Sequence, residues 1–239
     1  MGALIEVSGL GYRYPDGAEG VRNVGFAVRA GERVAVLGPN GSGKSTLLLH
    51  LNGLLLPTRG AVRVADLPVS EDTAPAIRRK VGFVFQEPDD QLFLPTVLED
   101  VAFGPLNAGR SPGEAEERAR AELRELGLED QADRAAHHLS GGERRLASLA
   151  TVLVSDPEIL VLDEPTAALD ARARRRVVDI LRGRTETLVV ATHDLEVAAA
   201  LCPRALVLDA GNLVADLATT ELLGDPDLLE RHGLSAPLA

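Results

Sequence analysis

One octapeptide constrains this chain more than any other feature. Gly38-Pro39-Asn40-Gly41-Ser42-Gly43-Lys44-Ser45 follows the apolar run Val34–Leu37 and leads into Thr46-Leu47-Leu48-Leu49. The first run reads as a strand and the second as the opening of a helix. A strand that delivers a Gly-rich loop straight into a helix N-terminus is a phosphate cradle. Glycines let successive N–H groups turn inward on phosphate oxygens, and the helix end adds partial positive charge. Lys44 is placed to reach β- and γ-phosphates, and the Ser45 hydroxyl to bind Mg²⁺. Composition singles out the same position: only Lys44 and Lys80 are lysines among 25 basic residues. Arginine serves almost everywhere else, whereas a compact ammonium stands where phosphate would lie.

The remaining sequence reads as an α/β protein built around that loop. Leu4–Val7, Val21–Val28, Ala61–Val64 and Val81–Phe85 are further expected strands. Thr96-Val97-Leu98-Glu99 and Ser111-Pro112-Gly113-Glu114 are capping boxes that open two helices, the second ending near Gly127. A third helix is expected from about Glu143 to Val154. After it, the apolar strands Ile159–Leu162, Leu188–Ala191 and Ala205–Leu208 alternate with helices, the pattern of a parallel sheet covered on both faces. The expectation is a single domain over 1–239: an α/β nucleotide-binding core, a helical insertion at about 95–155, and a short helical tail at about 225–239 that frays.

Two other stretches carry chemistry. Ile159-Leu160-Val161-Leu162-Asp163-Glu164 is an apolar strand ending in two carboxylates. Asp163 suits Mg²⁺ held through water, and Glu164 suits the orientation and deprotonation of an attacking water. The plainer alternative is a strand that meets solvent at an acidic turn. Leu139-Ser140-Gly141-Gly142-Glu143 opens the third helix. By itself it reads as a Ser-capped helix start or as a second anion site.

Charge and composition narrow the function classes. A net charge of -11 argues against non-specific binding to nucleic acid or acidic lipid. Cys202, the one cysteine, excludes an internal disulfide framework and a multi-Cys metal site. No apolar run reaches the roughly 18 residues of a membrane span; the richest, Leu47–Leu56, is broken by His50, Asn52 and Gly53. The N-terminal Met1-Gly2-Ala3-Leu4-Ile5-Glu6 carries no signal-peptide pattern, so the cytoplasm is expected. His137 and His138 lack partners at ligand spacing, and Arg172–Arg176 reads as a solvated helix face.

Taken together, these motifs resemble an ABC-type ATPase subunit over nearly the whole chain. Gly38–Ser45 is similar to the Walker A loop, Ile159–Glu164 to the Walker B strand, and Leu139–Glu143 to the LSGGQ signature. Gln86 resembles the Q-loop glutamine, Ala168-Leu169-Asp170 the D-loop, and His193 in Thr192-His193-Asp194 the switch histidine. Tyr14, 30 residues before Lys44, stands where the family places an adenine-stacking aromatic. The resemblance implies a RecA-like P-loop NTPase core with an antiparallel β subdomain and a helical subdomain. It implies ATP and Mg²⁺, the ATP contacts running through Gly38 to Thr46 and Asp170. It assigns Ser45, Gln86 and Asp163 to the metal, and Glu164, His193, Gln86 and Lys44 to catalysis. It also implies head-to-tail pairing with a second ATPase subunit, a copy or a sister, so that Ser140, Gly141, Gly142 and Glu143 meet the partner's ATP. Position 143 is Glu where the family usually has Gln, and Arg144 or Arg145 is expected to pair it.

A finer resemblance rests on Gln86-Glu87-Pro88-Asp89-Asp90-Gln91-Leu92-Phe93, with Gly11–Gly17, Asp100–Pro105 and His137–Glu143. These are similar to the ATPases of energy-coupling-factor importers, those of cobalt or nickel uptake above all. That implies ATP hydrolysis coupled to uptake of a metal ion or vitamin, from a peripheral position on the cytoplasmic face of the cell membrane. Transmembrane subunits would dock on Gln86–Phe93, with Leu92 and Phe93 as an exposed pair; the alternative is that both pack inside the helical insertion. Three other readings stay open. A non-transport ABC ATPase acting on nucleic acid or ribosomes fits the acidic charge poorly, and no nucleic-acid partner is expected. An ABC ATPase of another transporter class is the second. A binder that does not hydrolyse is the third, against which Glu164 and His193 argue.

Overall fold

In the computed structural model, which describes residues 2–234, the chain opens with strands β1 (Ala3–Arg13), β2 (Glu19–Arg29) and β3 (Arg33–Leu37), then helix α1 (Lys44–Leu51). Next come β4 (Arg59–Val64), β5 (Leu67–Pro68), α2 (Ala74–Arg78) and β6 (Val81–Val84). Three helices follow: α3 (Val97–Asn107), α4 (Pro112–Glu125) and α5 (Gly141–Leu153). The remainder alternates as β7 (Ile159–Asp163), α6 (Ala171–Arg182), β8 (Thr187–Thr192), α7 (Leu195–Leu201), β9 (Arg204–Asp209), β10 (Asn212–Ala218), α8 (Thr219–Leu223) and α9 (Pro226–Arg231). Met1 and 235–239, the end of the expected tail, lie outside the described residues.

The strands form two sheets. One has the order β10-β9-β3-β8-β7-β6, parallel throughout except for the β10–β9 pair. The other, β2-β1-β4-β5, is antiparallel. β3 shows why the larger sheet needs apolar residues at every position. Successive side chains of a strand leave by opposite faces. Val34 and Val36 pack with Leu47, Leu48 and Leu51 of α1 and with Ile5, Leu10 and Val62 of the antiparallel sheet. Ala35 and Leu37 belong to the other core, with Val101, Leu149 and Val178 of the helices. The strand that ends at Gly38 is thus gripped from both sides.

Register then sets the site. Leu37 lies beside Thr192, and Asp163 beside Ala191. The C-terminal ends of β3, β7 and β8 are therefore level, and Gly38, Glu164 and His193 leave the sheet at one edge. In open parallel sheets ligands bind outside that edge.

The structure moves some expected boundaries. Ser140 is the cap of α5 and Glu143 its third residue, so the helix begins at Gly141 rather than near Glu143. β1 runs well past the expected Leu4–Val7, because a register shift between Val7 and Leu10 absorbs Gly9 at φ 57. Thr96 with Glu99 and Ser111 with Glu114 form the expected capping boxes. Among the described residues no helix is long and apolar enough to cross a membrane.

Candidate functional site

The loop Gly38–Ser45 is packed too tightly for side chains at two of its glycines. A Cβ on Gly38 would lie 2.2 Å from the Leu208 carbonyl oxygen, and one on Gly43 2.3 Å from that of Gly20. Lys44 is only 6% exposed. Its Nζ donates to two carbonyls of its own loop, Gly38 O at 2.8 Å and Pro39 O at 3.1 Å. Burial lowers its pKa, against the Glu164 and Asp163 carboxylates, which favour the ammonium. Ser42 Oγ is buried without a hydrogen-bond partner among the described residues. Asn40, Gly41 and Ser45 face solvent. The Tyr14 hydroxyl lies 2.8 Å from Thr46 Oγ1, and its ring packs edge-on against Tyr12. The aromatic is thereby fastened over the first turn of α1.

Asp163 and Glu164, at the end of β7, are each 6% exposed. Burial pushes Asp163 above the usual carboxylate range; the Ser45 hydroxyl works against that, and the Glu164 charge works with it. Asp163 Oδ1 has no hydrogen-bond partner among the described residues. A buried carboxylate with an open oxygen, next to a hydroxyl, is a donor set that suits a hard cation such as Mg²⁺.

Glu164 is held at φ 46, a left-handed backbone that a non-glycine residue adopts under strain. Its N–H donates to Ala191 O at 2.9 Å. Both carboxylate oxygens are engaged: Thr192 Oγ1 donates to Oε2 at 3.1 Å, and His193 Nδ1 lies 2.9 Å from Oε1. The other side of the imidazole faces solvent, its side chain being 60% exposed. The resemblance assigns His193 to catalysis, and the structure sets its ring on Glu164. Thr192 is fully buried and aims the same carboxylate, a role the sequence reading missed although the residue stands next to His193.

Asp170 caps α6 by accepting from Ala173 N at 2.8 Å. One turn on, Arg174 donates to Asp194 at 2.9 Å and Glu196 at 2.8 Å, joining α6 to the segment after His193. Arg176 donates to the Leu126 carbonyl. The arginine run is therefore only in part the solvated face that its composition suggested.

Ser140, Gly141, Gly142 and Glu143 form a separate cluster. Ser140 and Gly141 are exposed. A Cβ on Gly142 would lie 2.9 Å from Ala173 Cβ, so the start of α5 abuts the first turn of α6. Glu143 closes a capping box with Ser140. The expected pairing with Arg144 or Arg145 does not occur. Arg144 lies 3.8 Å from Asp89, and Arg145 is buried with Nη1 donating to Phe85 O at 2.7 Å and Nη2 to Gln86 O at 2.5 Å. Among the described residues no hydrogen bond or ion pair joins Ser140 or Glu143 to Gly38–Ser45.

The segment after β6 is clamped to α5. Besides the Arg145 fork, Gln91 Nε2 donates to Ser148 O at 2.7 Å and Thr151 Oγ1 at 2.6 Å. The Gln86 side chain is exposed. Neither expectation for Leu92 and Phe93 holds for both residues. Leu92 is 7% exposed and packs in the core, whereas Phe93 is 63% exposed and meets Phe103 edge-on at 5.5 Å. The chain turns between them where Phe93 N and Leu94 N both donate to buried Asp100, each at 3.0 Å.

Comparison with known proteins places this geometry. The model of the ABC transporter family matches residues 21–167. The energy-coupling factor transporter ATP-binding protein EcfA of Methanothermobacter thermautotrophicus is 46% identical over 239 residues, which cover 98% of this chain and 77% of that protein. CbiO1 of Clostridium perfringens, part of the ABC transporter complex cbiONQ, superposes with a TM-score of 0.83 at 32% identity, covering 99% of this chain and 97% of its own. The ATP-binding cassette MJ0796, solved as a dimer in a post-hydrolysis state with ADP and Pi, gives a TM-score of 0.82 at 30% identity, covering 90% and 98%.

Proposed function

The chain belongs to the ABC transporter family of ATP-binding subunits, and from that premise we propose how its residues hydrolyse ATP and what the reaction drives. The observation that carries the proposal is Glu164, buried beside Lys44 and Asp163 with its two oxygens aimed by Thr192 and His193. Gly38 to Thr46 receive the phosphates. Lys44 leaves the carbonyls of Gly38 and Pro39 for phosphate oxygens, and Tyr14 offers its ring to adenine. Ser45, Asp163 and Gln86 hold Mg²⁺; the open Oδ1 of Asp163 supports that assignment. Bound there, the ion offsets charge on the phosphates. Glu164 orients a water and takes its proton. The water oxygen bonds to the γ-phosphorus as the bond to the bridging oxygen breaks, leaving ADP and inorganic phosphate. His193 and Thr192 hold the carboxylate in line, so catalysis is chiefly positioning and charge.

Ser140, Gly141, Gly142 and Glu143, with Asp170 nearby, complete the site of a second ATPase subunit in a head-to-tail dimer. Their separation from Gly38–Ser45 in the hydrogen-bond network supports this, as does the dimeric form of the similar cassette MJ0796. Exposed Phe93 docks transmembrane subunits, which keeps the chain peripheral on the cytoplasmic face of the membrane. The transporter is an importer of the energy-coupling-factor class that takes up a metal ion or a vitamin. Likeness to EcfA and CbiO1 supports that reading.

Glu164→Gln tests the centre of the proposal. The variant should lose about 10³-fold in turnover while still binding ATP. Turnover within a few-fold of the parent removes Glu164 from the mechanism.

A further inference from the structure

Glu143 puts a carboxylate at the end of α5 that is meant to meet phosphate. Its Oε2 accepts from Ser140 N at 2.8 Å and from Ser140 Oγ at 2.7 Å, and its Oε1 accepts from Gln131 Nε2 at 3.2 Å. In return Ser140 Oγ accepts from Glu143 N at 3.3 Å. The hydroxyl proton of Ser140 is thus already given to an anion. The bonds from Ser140 hold the Glu143 carboxyl below its ordinary range, with Arg134 and Arg176 assisting. The partial positive charge of the helix end is met from within the chain.

We propose that Glu143 competes with the γ-phosphate of the partner's ATP, and so sets how much ATP is needed to close two subunits. The inference rests on the head-to-tail reading above. To bind phosphate, Ser140 must turn its proton away from Glu143, after which two anions share one helix N-terminus. A glutamine at 143 accepts the same two bonds from Ser140 through its amide oxygen, but without charge. Glu143 is therefore a positioning residue. It fixes Ser140 while the site is empty and opposes closure until nucleotide is abundant.

The test follows ATP-driven dimerisation by light scattering in Glu164→Gln protein, with and without Glu143→Gln. Removing the charge should lower the ATP concentration for half-dimerisation about five-fold at low ionic strength, for an interaction of roughly 1 kcal/mol per site between partly exposed charges. High salt should shrink the gap, because these charges are screened. A role confined to capping predicts no such gain and no salt dependence. Equal midpoints, or a higher one for Glu143→Gln, overturn the competition and leave the head-to-tail reading standing. If neither protein dimerises with ATP, the head-to-tail reading fails and the competition falls with it.

Discussion

The two half-sites of this chain differ in almost every physical respect. The one around Lys44 buries Lys44, Asp163 and Glu164, sets one cation against two carboxylates, and leaves Asp163 Oδ1 and Ser42 Oγ without hydrogen-bond partners among the described residues. The one around Ser140 is exposed, and every polar group in its capping box is bonded to another. Unpaired buried groups are costly, and ligand binding relieves that cost. Satisfied exposed groups gain little from a ligand unless it displaces something. In the proposed mechanism the first half-site therefore captures nucleotide, and the second judges it. On the head-to-tail reading proposed above, a chain carrying both binds ATP alone yet needs a second subunit to use it.

The sharpest way to break this contrast is Gly38→Ala. The added methyl meets Leu208 O and the Ser42 side chain within the first half-site and touches nothing in the second. We expect ATP binding to be lost and stability to fall by about 3 kcal/mol, or roughly 6–12 °C in Tm. Thermal melting and nucleotide titration together check it, and ATP affinity equal to that of the parent contradicts the tight-loop account. Thr192→Val is subtler. It keeps volume but removes the donor to Glu164 Oε2, so kcat should fall about ten-fold or more with KM for ATP little changed. A change in KM alone would instead mean that Thr192 serves binding.

The smallest effect separates the half-sites by acid response. Glu143 is held below its ordinary 4.5, so its contribution to stability is complete above about that pH and is lost as pH falls through the lowered value. Asp163 is pushed above its ordinary 3.8, so its ionisation opposes folding above the raised value, and the penalty fades as pH falls towards 3.8. In metal-free denaturation, Asp163→Asn should exceed the parent near neutral pH, with the gain shrinking in acid. Glu143→Gln should lose less than about 1 kcal/mol near neutral pH, also shrinking in acid. Shifts of the same sign would erase the contrast.

What was legible in the sequence was what depends on consecutive residues. Gly38–Ser45 announces itself because a cradle of inward N–H groups demands glycines at fixed intervals. The capping boxes of α3 and α4 were legible for the same reason. What could not be read was set by distant contacts. Arg145 reaches carbonyls 60 and 59 positions away, and Gln91 reaches Ser148 and Thr151 across 57 and 60. Leu92 and Phe93 are equally apolar, and only the turn around Asp100 decides which of them faces water. At α5 the same Ser-x-x-Glu pattern stands within a stretch that also reads as an anion site, and there Glu143 closes the box.

The Arg145 fork has a mechanical consequence. A single hydrogen bond at the root of the helical arm would act as a swivel. Two bonds from one planar group to the consecutive carbonyls of Phe85 and Gln86 act as a hinge pin. The Gln91 bonds to Ser148 and Thr151 add two further ties along the same helix and hold the pin, so a load on the segment after β6 passes to α5, 13 residues and about 20 Å long, as one piece.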